Sequence, residues 1–166
     1  MKKQLFILSI GTILLGACGS SETKKEETTP AEQPAEQPAE KAVVEVSIEA
    51  GDDMKYTTNR IEVPSGSHVK LTLKNVGKMP KESMGHNWTL LGQAADLVVY
   101  ATASMKAVDN DYQAPELYSD PIIFTKMLGP GESQTIEFDA PAAGTYKYVC
   151  TFPGHYASMQ GELVVQ

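Results

Sequence analysis

Cysteine, histidine and tryptophan are all scarce in this chain of 166 residues, which contains two cysteines, three histidines and one tryptophan. Two cysteines exclude a disulfide-rich scaffold, because such scaffolds use several bridges in place of a large core. A basic excess is also absent, since 14 lysines and arginines face 21 aspartates and glutamates, for a formal net charge of -7. Nucleic-acid binding needs a basic surface, so this charge balance argues against a nucleic-acid partner.

Long hydrophobic runs are scarce as well. The apolar run from Leu5 to Leu15 is too short for a bilayer-spanning helix, and it stands between two lysines and a stretch of small residues. This layout is typical of a signal peptide, which we assign to residues 1–17. The ending Leu15-Gly16-Ala17-Cys18 resembles the bacterial lipobox, which implies cleavage before Cys18 and lipidation of that residue. The alternative is an ordinary secreted protein with an incidental cysteine.

Residues 18–41 follow the predicted cleavage site and contain no aromatic residue and no aliphatic residue larger than alanine. Such a stretch cannot offset its ordering entropy by burial, so we expect a disordered tether rich in proline and glutamate. If Cys18 carries lipid, Cys150 is left as a lone thiol in an export compartment, where it is expected to have a use. We therefore expect a folded domain over residues 42–166, lipid-anchored in the bacterial cell envelope and facing the periplasm.

Alternation of apolar and polar residues predicts β-strands through the rest of the chain. In the segment HVKLTLKN, for example, Val69, Leu71 and Leu73 fall on one face. The predicted strands cover residues 43–50, 60–63, 68–75, 86–91, 122–125, 134–139, 145–149 and 161–165. About eight short strands separated by turn residues predict an all-β antiparallel sandwich. Residues 93–107, rich in alanine, predict a short helical insertion, although Val98 and Val99 would also suit a strand.

The segment CTFPGHYASMQ places Cys150, His155 and Met159 around a Pro-Gly turn. Taken alone, each has an ordinary role, as a small buried hydrophobe, a turn residue and a core filler. Taken together, a thiolate, an imidazole and a thioether favour copper over zinc, to which a thioether would add little. A blue copper site needs a second histidine. His86, just before an apolar strand, suits that role, whereas His68 is predicted on the solvent side of its strand.

The segments MGHNW and CTFPGH, together with Met159, closely resemble the azurins, small bacterial blue copper proteins of the cupredoxin family. Further matches are Asp53-Met54, Thr58-Asn59, Met79-Pro80-Lys81, Ala94-Ala95-Asp96, Asp109-Asn110-Asp111-Tyr112, Thr125-Lys126 and Gly161. The resemblance implies a cupredoxin-like Greek-key sandwich with one type 1 copper ion. It implies that His86, Cys150 and His155 form an equatorial plane, with Met159 and the carbonyl of Gly85 as weak axial ligands.

The resemblance also assigns roles around the ligands. Asn87 would link the two ligand-bearing loops, and the backbone N–H groups of Asn87 and Phe152 would point at the cysteine sulfur. Electrons would enter through an exposed edge of His155, within an apolar patch suited to transient contacts. The residues of that patch are Met54, Met79, Met84, Phe152, Pro153 and His155.

A complete set of protein ligands leaves no open metal position for a substrate, so the resemblance implies an electron carrier and not an enzyme. The expected partners are redox proteins, such as c-type cytochromes or copper-dependent reductases, bound transiently. Two alternatives are a copper storage or delivery protein and a metal-free interaction module, and the intact ligand set argues against the second. The chain departs from the azurin pattern at Asn75, where many azurins have a histidine, and at Ser67, near a missing disulfide cysteine.

Overall fold

The computed structural model describes residues 41–117 and 119–166. The predicted signal peptide, Cys18 and all but the last residue of the predicted tether lie outside the described residues. Within those ranges the chain forms eight strands and two helices. In chain order these are β1 (Val43–Ala50), β2 (Arg60–Val63), β3 (His68–Asn75), α1 (Lys81–Met84), β4 (Thr89–Leu91), α2 (Leu97–Ser104), β5 (Pro121–Phe124), β6 (Ser133–Asp139), β7 (Gly144–Val149) and β8 (Gln160–Val165). Short 3-10 turns at Val108–Asn110 and Pro115–Leu117 lie between α2 and β5.

The strands form two sheets, in the orders β1-β3-β6 and β2-β8-β7-β4-β5, so the predicted all-β sandwich is confirmed. Four pairings are antiparallel as predicted, but β1 pairs with β3, and β2 with β8, in parallel. Alternation of residues does not report strand direction. The chain leaves β1, passes through β2 in the other sheet and returns to β3, and such a crossover brings two strands together in the same direction.

Alternation does report which side chains face the core. Val69, Leu71 and Leu73 on β3 are all fully buried, while the residues between them are exposed or half-buried. They belong to one cluster that draws on both sheets and includes Trp88 and Tyr148, two of the largest buried side chains. Burying one side chain of the size of leucine contributes roughly 1.5–3 kcal/mol, so a cluster of this size contributes strongly to the stability of the fold.

Helix α2 lies inside the predicted helical insertion, which is thereby confirmed. The carboxylate of Asp96 accepts hydrogen bonds from the backbone N–H groups of Val98 (2.9 Å) and Val99 (3.0 Å) and so caps the first turn. Tyr100 is buried in a second, smaller cluster with Leu91 and Val149. The helix therefore packs against strand β7 on the side away from the main core, which accounts for the two separate clusters. No helix in the described part of the chain is long and apolar enough to span a membrane.

The predicted strand over residues 86–91 is shorter in the structure, where β4 covers only Thr89–Leu91. All three residues of β4 are buried, so its pattern reports a strand covered on both faces. His86 instead forms an isolated antiparallel bridge with Leu128, exchanging N–H···O bonds of 3.1 and 2.8 Å. The residue predicted to ligate the metal thus lies on an irregular segment before the strand.

Candidate metal centre

Three buried side chains meet where the segment after α1 approaches the loop between β7 and β8. The ligand atoms of His86, Cys150 and His155 all lie within 4.8 Å of one another. The Cys150 sulfur is 3.6 Å from Nδ1 of His155, and the two imidazole ring centroids are 5.1 Å apart. His86 and Cys150 have no exposed surface, and His155 is 2% exposed. This group can hold one metal ion.

The loop after β7 owes its shape to its own backbone hydrogen bonds. The N–H of Cys150 donates to the carbonyl of Met159 (2.9 Å), and the N–H of Met159 donates to the carbonyl of His155 (2.8 Å). Gly154 has a φ of +84°, a left-handed conformation that glycine adopts without steric cost. The Met159 side chain is fully buried, in the same core cluster as Cys150. The loop therefore holds a thiol, an imidazole and a thioether in one buried region.

Asn87 joins the two segments that carry the predicted ligands. Its side-chain amide donates to the hydroxyl of Thr151 (2.7 Å), and its side-chain oxygen accepts from the backbone N–H of Thr151 (2.8 Å). A third bond runs from the amide to the carbonyl of Asp111 (3.2 Å). The roles of Thr151 and Asp111 as partners of Asn87 were not predicted, because a hydroxyl or a backbone carbonyl in a loop gives no distinctive sequence signal.

Burial sets the protonation of the three side chains. It raises the pKa of the Cys150 thiol to about 11, although the backbone N–H groups of Asn87 and Phe152 act in the opposite direction. Burial lowers the pKa of His155 to about 4, with a further contribution from His86, and burial also lowers the pKa of His86. At neutral pH the site therefore holds a neutral thiol and two neutral imidazoles, whose nitrogen lone pairs are free to bind a metal.

The hydrogen bonding of His86 provides a test of whether a metal fits. Both ring nitrogens are buried and neither has a hydrogen-bond partner among the described residues, whereas buried polar atoms are nearly always paired. Burial lowers the pKa of His86, and the backbone of Gly51 near this ring acts in the opposite direction, but it does not meet hydrogen-bond geometry. A metal on one nitrogen and the Gly51 carbonyl near the other is the usual environment of a ligating histidine. Two imidazoles, a thiol and a nearby thioether are the donors that copper prefers.

Gly85 precedes His86 at a point where no side chain would fit. A Cβ atom built there would lie 2.8 Å from the carbonyl oxygen of Lys81 and 2.9 Å from Cγ of Met127. The φ of Gly85 is -68°, so close packing and not backbone conformation requires a glycine. Gly85 was predicted from the resemblance, whereas the buried Met127 that packs against it was not.

The predicted partner patch is only partly exposed. Met54 is 37% and Met79 42% exposed, Met84 is half-buried and Pro153 is exposed, whereas Phe152 and His155 are 7% and 2% exposed. The expectation of an exposed His155 edge therefore needs correction. The ring centroids of Phe152 and His155 lie 4.6 Å apart, so two packed and nearly buried rings lie at this point of the predicted patch.

The residues that depart from the resemblance have structural roles here. Asn75 is buried and donates to the carbonyl of Leu128 (3.0 Å), the residue that bridges to His86. Ser67 is also buried, and its hydroxyl donates to a nearby carbonyl. His68 bonds to Asp139 on β6 and stays outside the metal-binding group, as its strand position predicted.

Comparison with known proteins agrees with this geometry. Residues 42–166 match the family of copper binding proteins, plastocyanin/azurin family. The chain is 38% identical to the azurin of Pseudomonas aeruginosa over 126 residues, which cover 73% of this chain and 84% of that protein. It is 34% identical to outer membrane protein H.8 of Neisseria gonorrhoeae over an alignment of 183 residues that covers 99% of each. The solved structure of auracyanin A, a "blue" copper protein of Chloroflexus aurantiacus, has a TM-score of 0.68 and 34% identity, covering 75% of this chain and 100% of that one.

Proposed function

Because the chain belongs to the plastocyanin/azurin family of copper-binding proteins, we propose that it carries single electrons between redox proteins through one type 1 copper ion. The observation that supports this proposal most directly is the buried group of His86, Cys150 and His155, with ligand atoms within 4.8 Å and an imidazole that has no hydrogen-bond partner among the described residues. Members of this family use copper as their cofactor and act as electron carriers.

In this proposal His86, Cys150 and His155 are the strong ligands, and Met159 and the carbonyl of Gly85 are weaker ones. Copper held by such a set supplies a one-electron Cu(I)/Cu(II) couple. The thiol must lose its proton before it ligates, because the thiolate is the metal-binding form. The ligands come from two segments, so the position of each imidazole relative to the sulfur depends on how firmly the segments are joined.

The protein's own contribution to electron transfer is to hold these ligands in fixed positions and to exclude water from them. The paired hydrogen bonds between Asn87 and Thr151 join the two segments, and the ligand loop is closed by the bonds between Cys150 and Met159. Close packing at Gly85 restricts the other segment. A site that cannot rearrange changes little when its charge changes, so little energy is spent on reorganisation during electron transfer.

We place the partner contact on the apolar patch of Met54, Met79, Met84 and Pro153. Two of these side chains, Met54 and Met79, are large, apolar and exposed. Methionine is flexible and polarisable, which suits short contacts with different surfaces. The partners we propose are redox proteins such as c-type cytochromes or copper-dependent reductases, with the electron passing over the buried edge of His155.

We further propose that lipid on Cys18 anchors the protein in the bacterial cell envelope on the periplasmic side. The Leu15-Gly16-Ala17-Cys18 sequence supports this, as does the end-to-end alignment with a relative named outer membrane protein H.8. Cells that express the wild-type chain and are fed labelled palmitate should yield a labelled protein in the membrane fraction. A Cys18→Ser variant should be unlabelled and released from that fraction. An unlabelled wild-type protein would contradict the anchor.

The carrier role is tested by repeated redox cycling. The purified protein, loaded with one equivalent of Cu(II), is reduced with ascorbate and reoxidised with ferricyanide over many cycles, and bound copper is then measured. We expect the copper to be retained and the reduced protein to transfer its electron to a c-type cytochrome, whereas Cys150→Ser should do neither. Loss of copper to a competing chelator during cycling, without electron transfer, would indicate a storage or delivery protein instead.

A further inference from the structure

A tyrosine from outside the two ligand-bearing segments forms a hydrogen bond to the residue that follows a predicted ligand. The hydroxyl of Tyr56 donates to the backbone carbonyl of Asn87, 31 residues further along the chain. Asn87 follows the predicted ligand His86 and is itself fully buried. This bond ties the loop after β1 to the ligand segment at the residue next to the metal-binding imidazole.

Tyr56 is itself firmly held. Its backbone forms an antiparallel bridge with Ala50 at the end of β1. The backbone N–H of the neighbouring Thr57 donates to the carbonyl of Glu49, and the N–H of Glu49 donates to the Thr57 hydroxyl. Its ring stands edge-on against Tyr148, with ring centroids 5.6 Å apart and planes at 64°. Tyr148 lies on β7, two residues before Cys150. Tyr56 therefore contacts both chain segments from which the proposed strong ligands come.

The polar groups of Asn87 form a complete set of interactions in which Tyr56 has a specific part. The side chain is occupied by Thr151 and Asp111, and the backbone N–H faces the Cys150 sulfur, where it acts to lower the thiol pKa. The backbone carbonyl is left, and Tyr56 is its partner. Burial, and then Cys150, raise the pKa of Tyr56 well above its ordinary value, so its hydroxyl stays protonated and remains a donor.

We propose that Tyr56 is a positioning residue of the metal centre. Through its hydroxyl it holds the backbone N–H of Asn87 against the Cys150 sulfur. This role of Tyr56 rests on the copper site proposed above. An N–H directed at the sulfur stabilises negative charge there and makes the thiolate a weaker electron donor to copper. This favours Cu(I) over Cu(II). Without the hydroxyl, the buried carbonyl of Asn87 loses its partner and the segment has one anchor fewer.

The test compares two tyrosines that lose the same group. Tyr56→Phe removes the bond to Asn87, while Tyr146→Phe removes an equivalent bond, from a phenol to the carbonyl of Ala142 at 2.7 Å, on the same strand as Tyr148 but away from Asn87. Both variants lose one hydroxyl, so their unfolding midpoints control for general loss of stability. Two quantities are measured for each: the reduction potential of the copper-loaded protein, and amide hydrogen exchange at Asn87 in the metal-free protein.

We expect Tyr56→Phe to weaken Cu(I) binding relative to Cu(II) about threefold, which equals a potential lower by about 28 mV for a one-electron couple. The Asn87 amide should exchange at least about tenfold faster than in wild type, because its anchor is gone. Tyr146→Phe should match the wild type in both. Equal potentials and equal Asn87 exchange in the two variants would overturn the proposal. If the wild-type protein forms no copper site, the proposed function fails, and the exchange comparison in the metal-free protein still decides the role of Tyr56.

Discussion

Replacing Asn87 by alanine tests the claim that one side chain joins the two ligand segments. The variant loses two bonds to Thr151, at 2.7 and 2.8 Å, and one to the carbonyl of Asp111, at 3.2 Å. Each such bond contributes about 1 kcal/mol net, and leaving the buried N–H and hydroxyl of Thr151 unpaired adds to the loss. We expect a total loss of about 3–4 kcal/mol, which for a domain of this size lowers the unfolding midpoint by roughly 12–15 °C.

The assay is thermal unfolding monitored by circular dichroism. The metal-free protein is used because a bound metal would raise the unfolding midpoint by mass action. Thr151→Val is the matched control, since it loses only the hydroxyl and keeps the backbone N–H bond to Asn87. We expect it to cost about 1 kcal/mol. The double variant should then be less destabilised than the two single effects predict, by about 1 kcal/mol. A fall of less than about 4 °C in Asn87→Ala, or strict additivity, would show that Asn87 does not join the two segments.

Three further predictions concern protonation and packing. Because burial raises the pKa of the Cys150 thiol to about 11, copper uptake between pH 6 and 9 should release one proton per protein. The apparent affinity for copper should then rise about tenfold per pH unit. A titration in weak buffer with a pH-indicator dye that detects no released proton would contradict this. Asp139 and then Glu137 raise the pKa of His68 above 6.5, so its stabilising contribution is complete below pH 6.5 and is lost as pH rises through the folded-state pKa. His68→Gln should abolish that dependence, and an NMR titration giving an unshifted His68 would count against it. Gly85→Ala should cost roughly 1–3 kcal/mol through contact with neighbouring atoms, and an unfolding midpoint equal to that of wild type would show that the site can relax.

Much of the architecture could be predicted because the apolar or polar character of each side chain indicates whether it is buried. The alternation in β3 placed Val69, Leu71 and Leu73 in the core, and the structure confirms all three. Strand direction was harder to predict, because a parallel pairing such as β1 with β3 depends on how the chain crosses between sheets. The start of β4 was also hard to predict, because Leu90 joins the main core and Leu91 joins the cluster with α2, so no alternation marks this strand.

The proposed metal ligands gave a strong sequence signal because their donor atoms are specific to side-chain type. A thiol, two imidazoles and a thioether at given spacings leave few interpretations. The supporting residues gave little signal, because Gly51 and Asp111 act through backbone carbonyls, which every residue has. Tyr56 acts through a hydroxyl whose partner is 31 residues away. The burial of His155 was also missed, because the exposure of a loop side chain depends on tertiary packing, here including the ring of Phe152.

The most direct test of the copper site is the visible spectrum of the purified protein with one equivalent of Cu(II), recorded beside a Cys150→Ser control. We expect an intense blue band from thiolate-to-copper charge transfer in the wild type. The band should be bleached by reductant, restored by oxidant and absent from the control. A colourless wild-type protein, or a colour that survives the loss of Cys150, would contradict the proposed copper site.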